Sequence, residues 1–594
     1  MAARLVKSAA AAFFAVSVIA KTNNSSTCRY IPGDEGWPAK SDWEQLNQTV
    51  GGRLIATDPQ AHVCHTPTVD KAACDALKTP IDWHGAPPLY VTRLNLTLTQ
   101  WDQSETYIGK PAETMDTYYQ NQSCDPFTST SRPCELGNLA VFSINVSGAN
   151  DVIAGLQFAQ RKNVRLSIHN TGHDYNCKSC GPGSLSLWTY NLKTTEFIPE
   201  YESSYYSGPA AKFGAGMGLG DSLLFASQHG HKLVTGECGT LGIAGGHSQG
   251  GGHGVLNGAY GMAADNVLEW ELVTGEGEHL FVTPEQHADL YWALSGGGGG
   301  TYGVVLSMKV RVHPEGPVTG PVLTFTAPNV GNETYWKAIE IFYKHLPTIV
   351  KGTSNSIQFT FWNNNFAALF AFLDQQTSSV INSTMRPLLA ELDEIGITYN
   401  ITTEKTSTYK DYYNTNYGPL PYGLESPSTT LTSRIVPEWV VVDSDANAKL
   451  VDAAKLTTES GLFQVDCTSS DFNRSSHPDN AVLPAWREAI VACNLLAFWD
   501  WHAPLSKNLE VKSTMVDVYA PAWDAATPGS GVYLNEVDSS YKGDFKQTMY
   551  GANYPRLLSI KHQHDPNHLF YGHFTVGSDE FTTDGSGRLC YDGL

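Results

Sequence analysis

Two stretches of this chain hold residues whose types and spacing suit chemistry on a bound cofactor. Asn170-Thr171-Gly172-His173-Asp174-Tyr175 is a polar loop leaving directly from the apolar run Val164 to Ile168, at the end of an expected strand. Further on, Thr235-Gly236-Glu237-Cys238-Gly239-Thr240-Leu241-Gly242 runs into Ile243-Ala244-Gly245-Gly246-His247-Ser248-Gln249-Gly250-Gly251-Gly252-His253-Gly254. A cofactor carrying a pyrophosphate needs backbone N–H donors and a chain that can approach closely, and glycine meets the second need. The stretch matches neither the Gly-x-Gly-x-x-Gly fingerprint opening a helix nor a Gly-Lys-Ser/Thr phosphate loop. By itself, glycine richness also fits bland loop packing.

The cysteine count bears on the same loop. All 11 cysteines lie beyond the N-terminal leader, and an odd number leaves at least one without an intramolecular disulfide partner. That residue is either a spare buried thiol or a cysteine used for chemistry, and the setting of Cys238 favours the second. Cys177 and Cys180 could also supply it. Their Cys-x-x-Cys spacing invites a redox reading, but no thioredoxin context surrounds it, so a loop staple or two distant partners is preferred.

The elements that must position these residues follow a regular pattern from about residue 140. Val141 to Val146 reads as a strand, Asn150 and Asp151 as caps of a helix through about Arg161 with Val152, Leu156 and Ala159 on one face, and Val164 to Ile168 as the next strand. A further strand ends near Phe213, a helix starts at Asp221, and a second glycine loop at 296–300 feeds the strand Gly303 to Val312. The expected organisation is a leader at 1–20, a Cys-rich N-terminal extension at 21–135, and a nucleotide-binding domain at 136–316. A second α+β domain with an antiparallel sheet covered by helices follows at 317–535, then a C-terminal segment at 536–594. The extension is expected to be stapled by disulfides among Cys28, Cys64, Cys74, Cys124 and Cys134, with partners left open.

At 594 residues the chain is too long for one core. A net charge of −21 argues against a nucleic-acid partner, which needs a basic surface. Arg4 and Lys7 precede an Ala-rich apolar run ending at Val18-Ile19-Ala20, read as a cleaved secretory signal; no segment approaches the ~20 apolar residues of a membrane span. Glycan acceptor sequences at Asn47, Asn95, Asn121, Asn145, Asn332, Asn382, Asn400 and Asn473 agree with a secreted glycoprotein. A monomer without membrane contact is expected.

The ordered set of motifs raises the signal. After the His173 and Cys238 loops come Ala264-Asp265-Asn266-Val267, Leu290-Tyr291-Trp292-Ala293-Leu294-Ser295 with Gly296 to Gly300, and, far along, Asn553-Tyr554-Pro555-Arg556-Leu557 and Asp565-Pro566-Asn567. In this the chain resembles the vanillyl-alcohol-oxidase/PCMH flavoproteins, in their berberine-bridge-enzyme-like branch, and is most similar to fungal isoamyl-alcohol-oxidase-like proteins. The resemblance is strong over 138–315 and 530–575 and loose between. It implies an α+β fold: a PCMH-type FAD-binding domain of two α/β subdomains, completed by the C-terminal segment, and a substrate domain. It implies FAD bonded through its 8α-methyl to His173 and through ring carbon 6 to Cys238. Asn170, Thr171, Gly172 and Asp174 would cradle the pyrophosphate. Thr240, Leu241, Gly242, Gly245, Gly246, His247, Gly252, His253 and Gly254 would wrap the ring and phosphates, Val267 would meet the adenine, and Asn553 would complete the set. The chain departs from the family at His169, where Arg is common, and at Cys177 and Cys180.

The reaction implied is hydride transfer from a small-molecule donor, with oxygen as the expected acceptor; leucine at the Leu241 position is associated in plant relatives with poor oxygen reactivity. Gly531-Val532-Tyr533-Leu534-Asn535-Glu536 resembles the family's Tyr-x-Asn-Tyr strand with Glu536 replacing the last tyrosine. Glu536 is thus the candidate base, its pKa expected to rise by desolvation, with Tyr533 and Asn535 shaping the site; an exposed strand glutamate is the alternative. His562, His564, Asp565 and His568 could be drawn as a metal site, but the family pattern places a helix end and turn there, so no metal is expected.

Overall fold

The computed structural model describes residues 27–80, 99–102, 107–362, 364–373, 376–423, 428–474 and 476–593. The expected leader at 1–20 and the acceptor Asn95 lie outside them. No helix among the described residues is long and apolar enough to cross a membrane.

The strand–helix–strand unit is present as Phe142–Asn145, Ala149–Lys162 and Leu166–His169. Leu185–Trp188 inserts between the two strands, parallel to both, and Leu54–Ala56 adds an antiparallel edge. The helix lays Val152, Leu156 and Ala159 onto Ile144, Leu166, Leu185 and Leu187 in one buried cluster. Its cap differs from expectation. Gly148 occupies the cap, and Asp151 lies in the first turn, where it accepts from Ser147 N (2.8 Å) and Oγ (2.7 Å) and pairs with Arg53. Because the three parallel strands point one way, the His173 loop leaves from their shared C-terminal edge, where open α/β sheets place ligands.

The second half of this domain is a five-stranded antiparallel sheet ordered His279–Val282, Val267–Val273, Val304–Arg311, Ser207–Gly214 and Thr195–Glu202. The helix Leu219–Gln228 packs beside it, with Leu219, Leu223 and Ala226 in the same core as Phe213 and the wholly buried Trp270. The third layer draws a seven-stranded antiparallel sheet from residues 318–498. One face is covered by the helices Asn332–Val350, Ser378–Glu394 and Ser444–Thr458, through Phe342, Leu346, Leu388 and Leu450. Val318, Ala367, Leu369 and Ala371 instead join Leu219, Leu223, Tyr409, Tyr412 and Tyr413 in the core shared with the first domain. The fold is α+β as expected, with a mixed and an antiparallel sheet in the first domain and a helix-covered antiparallel sheet in the second.

Two local expectations are corrected. Residues 531–536 are an irregular segment ending in a turn, with Glu536 N donating to Tyr533 O (2.9 Å), and not a strand. Cys28 pairs with Cys590 and not within the N-terminal extension; the short strands Thr27–Cys28 and Leu589–Tyr591 carry the two residues together. The remaining disulfides are Cys64–Cys74, Cys124–Cys134, Cys177–Cys180 and Cys467–Cys493, so the Cys-x-x-Cys is a loop staple and Cys238 is the cysteine outside every disulfide.

Candidate active site

One cleft of about 1160 Å³, counting its open mouth, gathers residues from four segments. The His173 loop contributes Asn170 to Asn176, Lys178 and Ser179; the first glycine loop contributes Leu241, Gly242 and Ala244 to His247; the second contributes Gly299 and Gly300; and Tyr533, Asn535 and Glu536 close one side. Gly172 adopts φ +93°, a left-handed conformation that glycine takes without penalty, and a side chain there would press on Glu113 O.

His173 is half-buried, and desolvation pushes its imidazole down to about 3, so it is neutral. Its Nε2 lies 2.7 Å from Thr240 Oγ1, and its ring meets Tyr107 edge-on. The two loops singled out in the sequence are therefore in contact. Cys238, two residues before Thr240, is half-buried and is not among the cleft-lining residues. Its neighbours are held by the second domain: Cys238 bridges Gly423, Gly239 N donates to Tyr422 O (2.8 Å), and Tyr413 Oη donates to Glu237 O (2.6 Å).

Glu536 faces His253, whose Nε2 lies 3.2 and 3.3 Å from its carboxylate oxygens. Burial works to raise Glu536, but the charge and hydrogen bond of His253 prevail and hold it below the usual carboxylate range. This reverses the expected rise. Burial works to lower His253, yet Glu536 and Glu237 carry it up to about 9, so the pair is imidazolium and carboxylate at neutral pH. His253 stacks on Trp486 and meets Tyr533 edge-on. Asn535 Nδ2 donates to Gly246 O (2.6 Å) and Tyr533 Oη (2.8 Å), tying the Glu536 turn to the glycine loop.

Other expected residues sit elsewhere. Gly252, His253 and Gly254 pack behind the cleft wall, Gly252 against His247 and Gly254 against Thr235 O. Val267 is buried at the start of its strand, where its carbonyl accepts from Tyr291 Oη (2.7 Å). Asn553 lies outside the cleft and donates to Ala481 O (3.1 Å) and Val482 O (3.2 Å). His169 turns away from the cleft to Lys110 O (3.1 Å). His562 faces Glu580 and His564 faces Asp289, and no group of metal-ligating side chains occurs among the described residues. Sequence reasoning passed over Glu237, Trp486 and Lys178. Glu237 lay in view, as a carboxylate in a loop of small residues.

The cleft fits a flavin dinucleotide. Asn170 Oδ1, Asn176 Oδ1, His247 Nε2 and Gln249 Oε1 are buried in its wall without a hydrogen-bond partner, and each such group costs about 1–3 kcal/mol unless a ligand satisfies it. Residues 143–283 match an FAD binding domain family, and residues 532–575 match the berberine and berberine-like family. A VAO-type flavoprotein oxidase, VAO615, of Thermothelomyces thermophilus is 42% identical over 99% of this chain and 100% of its own length. The chain belongs to the VAO-type, berberine-bridge-enzyme-like FAD-linked oxidoreductases. It is an FAD-dependent oxidoreductase by that membership. Within the family, a bifunctional decalin synthase of Penicillium decumbens is 44% identical over 95% of this chain and 96% of its own. The crystal structure of MtVAO615 from Myceliophthora thermophila C1 superposes with a TM-score of 0.88, at 42% identity, covering 95% of this chain and all of that one. A glucooligosaccharide oxidase of Acremonium strictum, described with a 6-S-cysteinyl, 8α-N1-histidyl FAD, shares the fold at 18% identity and a TM-score of 0.62, over 74% of this chain and 92% of its own.

Proposed function

We propose that the protein is a secreted oxidase that takes a hydride from an alcohol, sugar or secondary-metabolite donor and passes the electrons to oxygen, giving hydrogen peroxide. The observation that carries this reading is the half-buried Glu536 carboxylate, which lines the same cleft as His173 and is paired from behind the wall with His253. FAD bound there supplies the two-electron acceptor for the donor's C–H hydride. Glu536 takes the donor's O–H proton, so the donor leaves as a carbonyl compound. His253 keeps that carboxylate ionised and aimed, and Asn535 and Tyr533 hold the turn that presents it.

His173 and Cys238 are the proposed covalent anchors. A neutral imidazole keeps a lone pair for bonding, and Thr240 holds the ring in place. The doubly tethered flavin of the Acremonium oxidase supports the pair. The purified protein is expected to stay yellow after acid precipitation, His173→Ala to keep a single tether, and His173→Ala/Cys238→Ala to release all colour. Wild-type colour left in the acid supernatant would defeat the covalent assignment. Secretion as a monomeric glycoprotein belongs to the same proposal and is checked by glycosidase treatment and light scattering.

A second reading, a dehydrogenase with a non-oxygen acceptor, is favoured by Leu241 in the cleft wall. A donor panel scored by anaerobic bleaching of the yellow colour, followed by admission of air, separates the two. Prompt recolouring with peroxide supports the oxidase, and persistent bleaching supports the dehydrogenase.

A further inference from the structure

The Cys177–Cys180 staple has no part in the chemistry above, yet the two residues it encloses, Lys178 and Ser179, both line the cleft. The loop is braced at every turn. Asp174 accepts from Asn176 N (3.0 Å), Ser179 N (2.7 Å) and Ser179 Oγ (2.6 Å), and Arg165 Nη2 donates to Cys180 O (3.1 Å). Cys177 holds φ at +51°, a left-handed conformation that a side-chain-bearing residue adopts only under strain. A strained residue closed by a disulfide is an expensive way to make a surface turn. What it fixes is Lys178.

The Lys178 stem packs beside Gly572, where a Cβ would come within 3.1 Å of it, and its Nζ donates to Leu534 O at 2.7 Å. That single bond joins the loop of His173 to the turn of Glu536. An ammonium has three donors, and among the described residues Leu534 O is its hydrogen-bond acceptor, so the others are open to the cleft. Asp174 makes no hydrogen bond to it, being used within its own loop. Burial keeps His173 and His247 neutral, while Lys178, which burial lowers to about 8 against the opposing pull of Asp174, is the cationic side chain lining the cleft at neutral pH.

We propose that Lys178 is the charge partner of the reduced cofactor, with the Cys177–Cys180 disulfide as the device that holds its ammonium at the ring. Hydride transfer brings two electrons and one proton onto an uncharged ring and leaves one negative charge there. Lys178 neither gives nor takes a proton; a cation fixed in the cleft wall stabilises that charge. Its link to Leu534, next to Asn535 and Glu536, places it at the reacting end. This inference rests on the flavin reading.

The test is the midpoint potential of the yellow holoenzyme, measured by equilibration with reference dyes, for wild type, Lys178→Met, Lys178→Gln, Lys178→Arg and Cys177→Gly/Cys180→Ser. Lys178→Met and Lys178→Gln are expected to shift the reduction equilibrium at least tenfold toward the oxidised form, about 30 mV for a two-electron couple. Lys178→Arg should stay within threefold of wild type, and the disulfide variant should fall between. Glycine at 177 suits the left-handed backbone, so that variant loses the staple without added strain. A Lys178→Met potential within threefold of wild type overturns the charge role. Colourless Met and Gln variants beside a yellow Arg variant also overturn it, since the lysine would then serve the pyrophosphate. A disulfide variant matching wild type overturns the role of the staple. Wild-type protein that carries no flavin refutes the flavin reading itself, which separates that failure from the others.

Discussion

Glu536→Gln is expected to slow anaerobic reduction of the cofactor by about 10²-fold or more, the usual weight of a positioned general base. The amide keeps the shape of the side chain but cannot take the donor's proton, and it leaves His253 without its main counter-charge. Rapid-mixing traces with the best donor measure the effect directly; a loss of under twofold would remove Glu536 from the chemistry. The pH profile carries a second signature. Because His253 holds Glu536 below the usual carboxylate range, the wild-type rate should be flat through neutral pH and fall only at acid pH as the carboxylate protonates. At the alkaline end it should change again near pH 9, where His253 loses its proton.

The same pair makes a stability prediction with a defined sign. His253 has a folded pKa above its ordinary 6.5, so its contribution is complete below 6.5 and is lost as pH rises through about 9. Glu536 lies below its ordinary 4.5, so its contribution is complete above 4.5 and is lost as pH falls through the folded value. The difference in Tm between wild type and Glu536→Gln should therefore be greatest between pH 4.5 and 6.5 and shrink on either side. A difference independent of pH would show that the pairing is not what the substitution removes.

Lys561→Met is expected to destabilise the fold by about 3–5 kcal/mol, the cost of leaving a buried charge without its partner. Lys561 Nζ meets Asp565 Oδ2 at 3.0 Å, and both side chains are at most 1% exposed. The ammonium also donates to Phe570 O (2.8 Å) and Thr301 O (3.4 Å), while Asp565 accepts from Leu569 N (2.9 Å) and Phe570 N (3.0 Å). This knot fastens the C-terminal segment to the second glycine loop, so its loss loosens the domain that forms the cleft wall. Thermal unfolding of apoprotein and holoprotein measures it. An unchanged midpoint would mean that the buried Asp565 does not depend on its ammonium partner. Replacing both residues by apolar side chains should recover part of the loss, since an unpaired charge costs more than an absent pair.

Much of this protein was legible in the sequence because the signals are local. A polar loop after an apolar strand, glycines crowded over twenty positions and an odd cysteine count all survive in one dimension, and the structure brings two of those loops together through His173 and Thr240. The helix faces were likewise readable, since periodic apolar residues must be buried together wherever the helix packs. The rest depends on partners far along the chain. Cys28 meets Cys590 across 562 positions, Lys178 meets Leu534 across 356, and His253 meets Glu536 across 283. No local pattern encodes such pairs. The Glu536 pKa shows why this matters: burial alone argues for a rise, and one imidazole from a distant loop turns it into a fall. Residue types and their local spacing marked the loops that could hold a cofactor, and the resemblance those motifs carry pointed to a flavin. Only the tertiary structure decided the charge each group carries there, because charge depends on neighbours and neighbours are set by the fold.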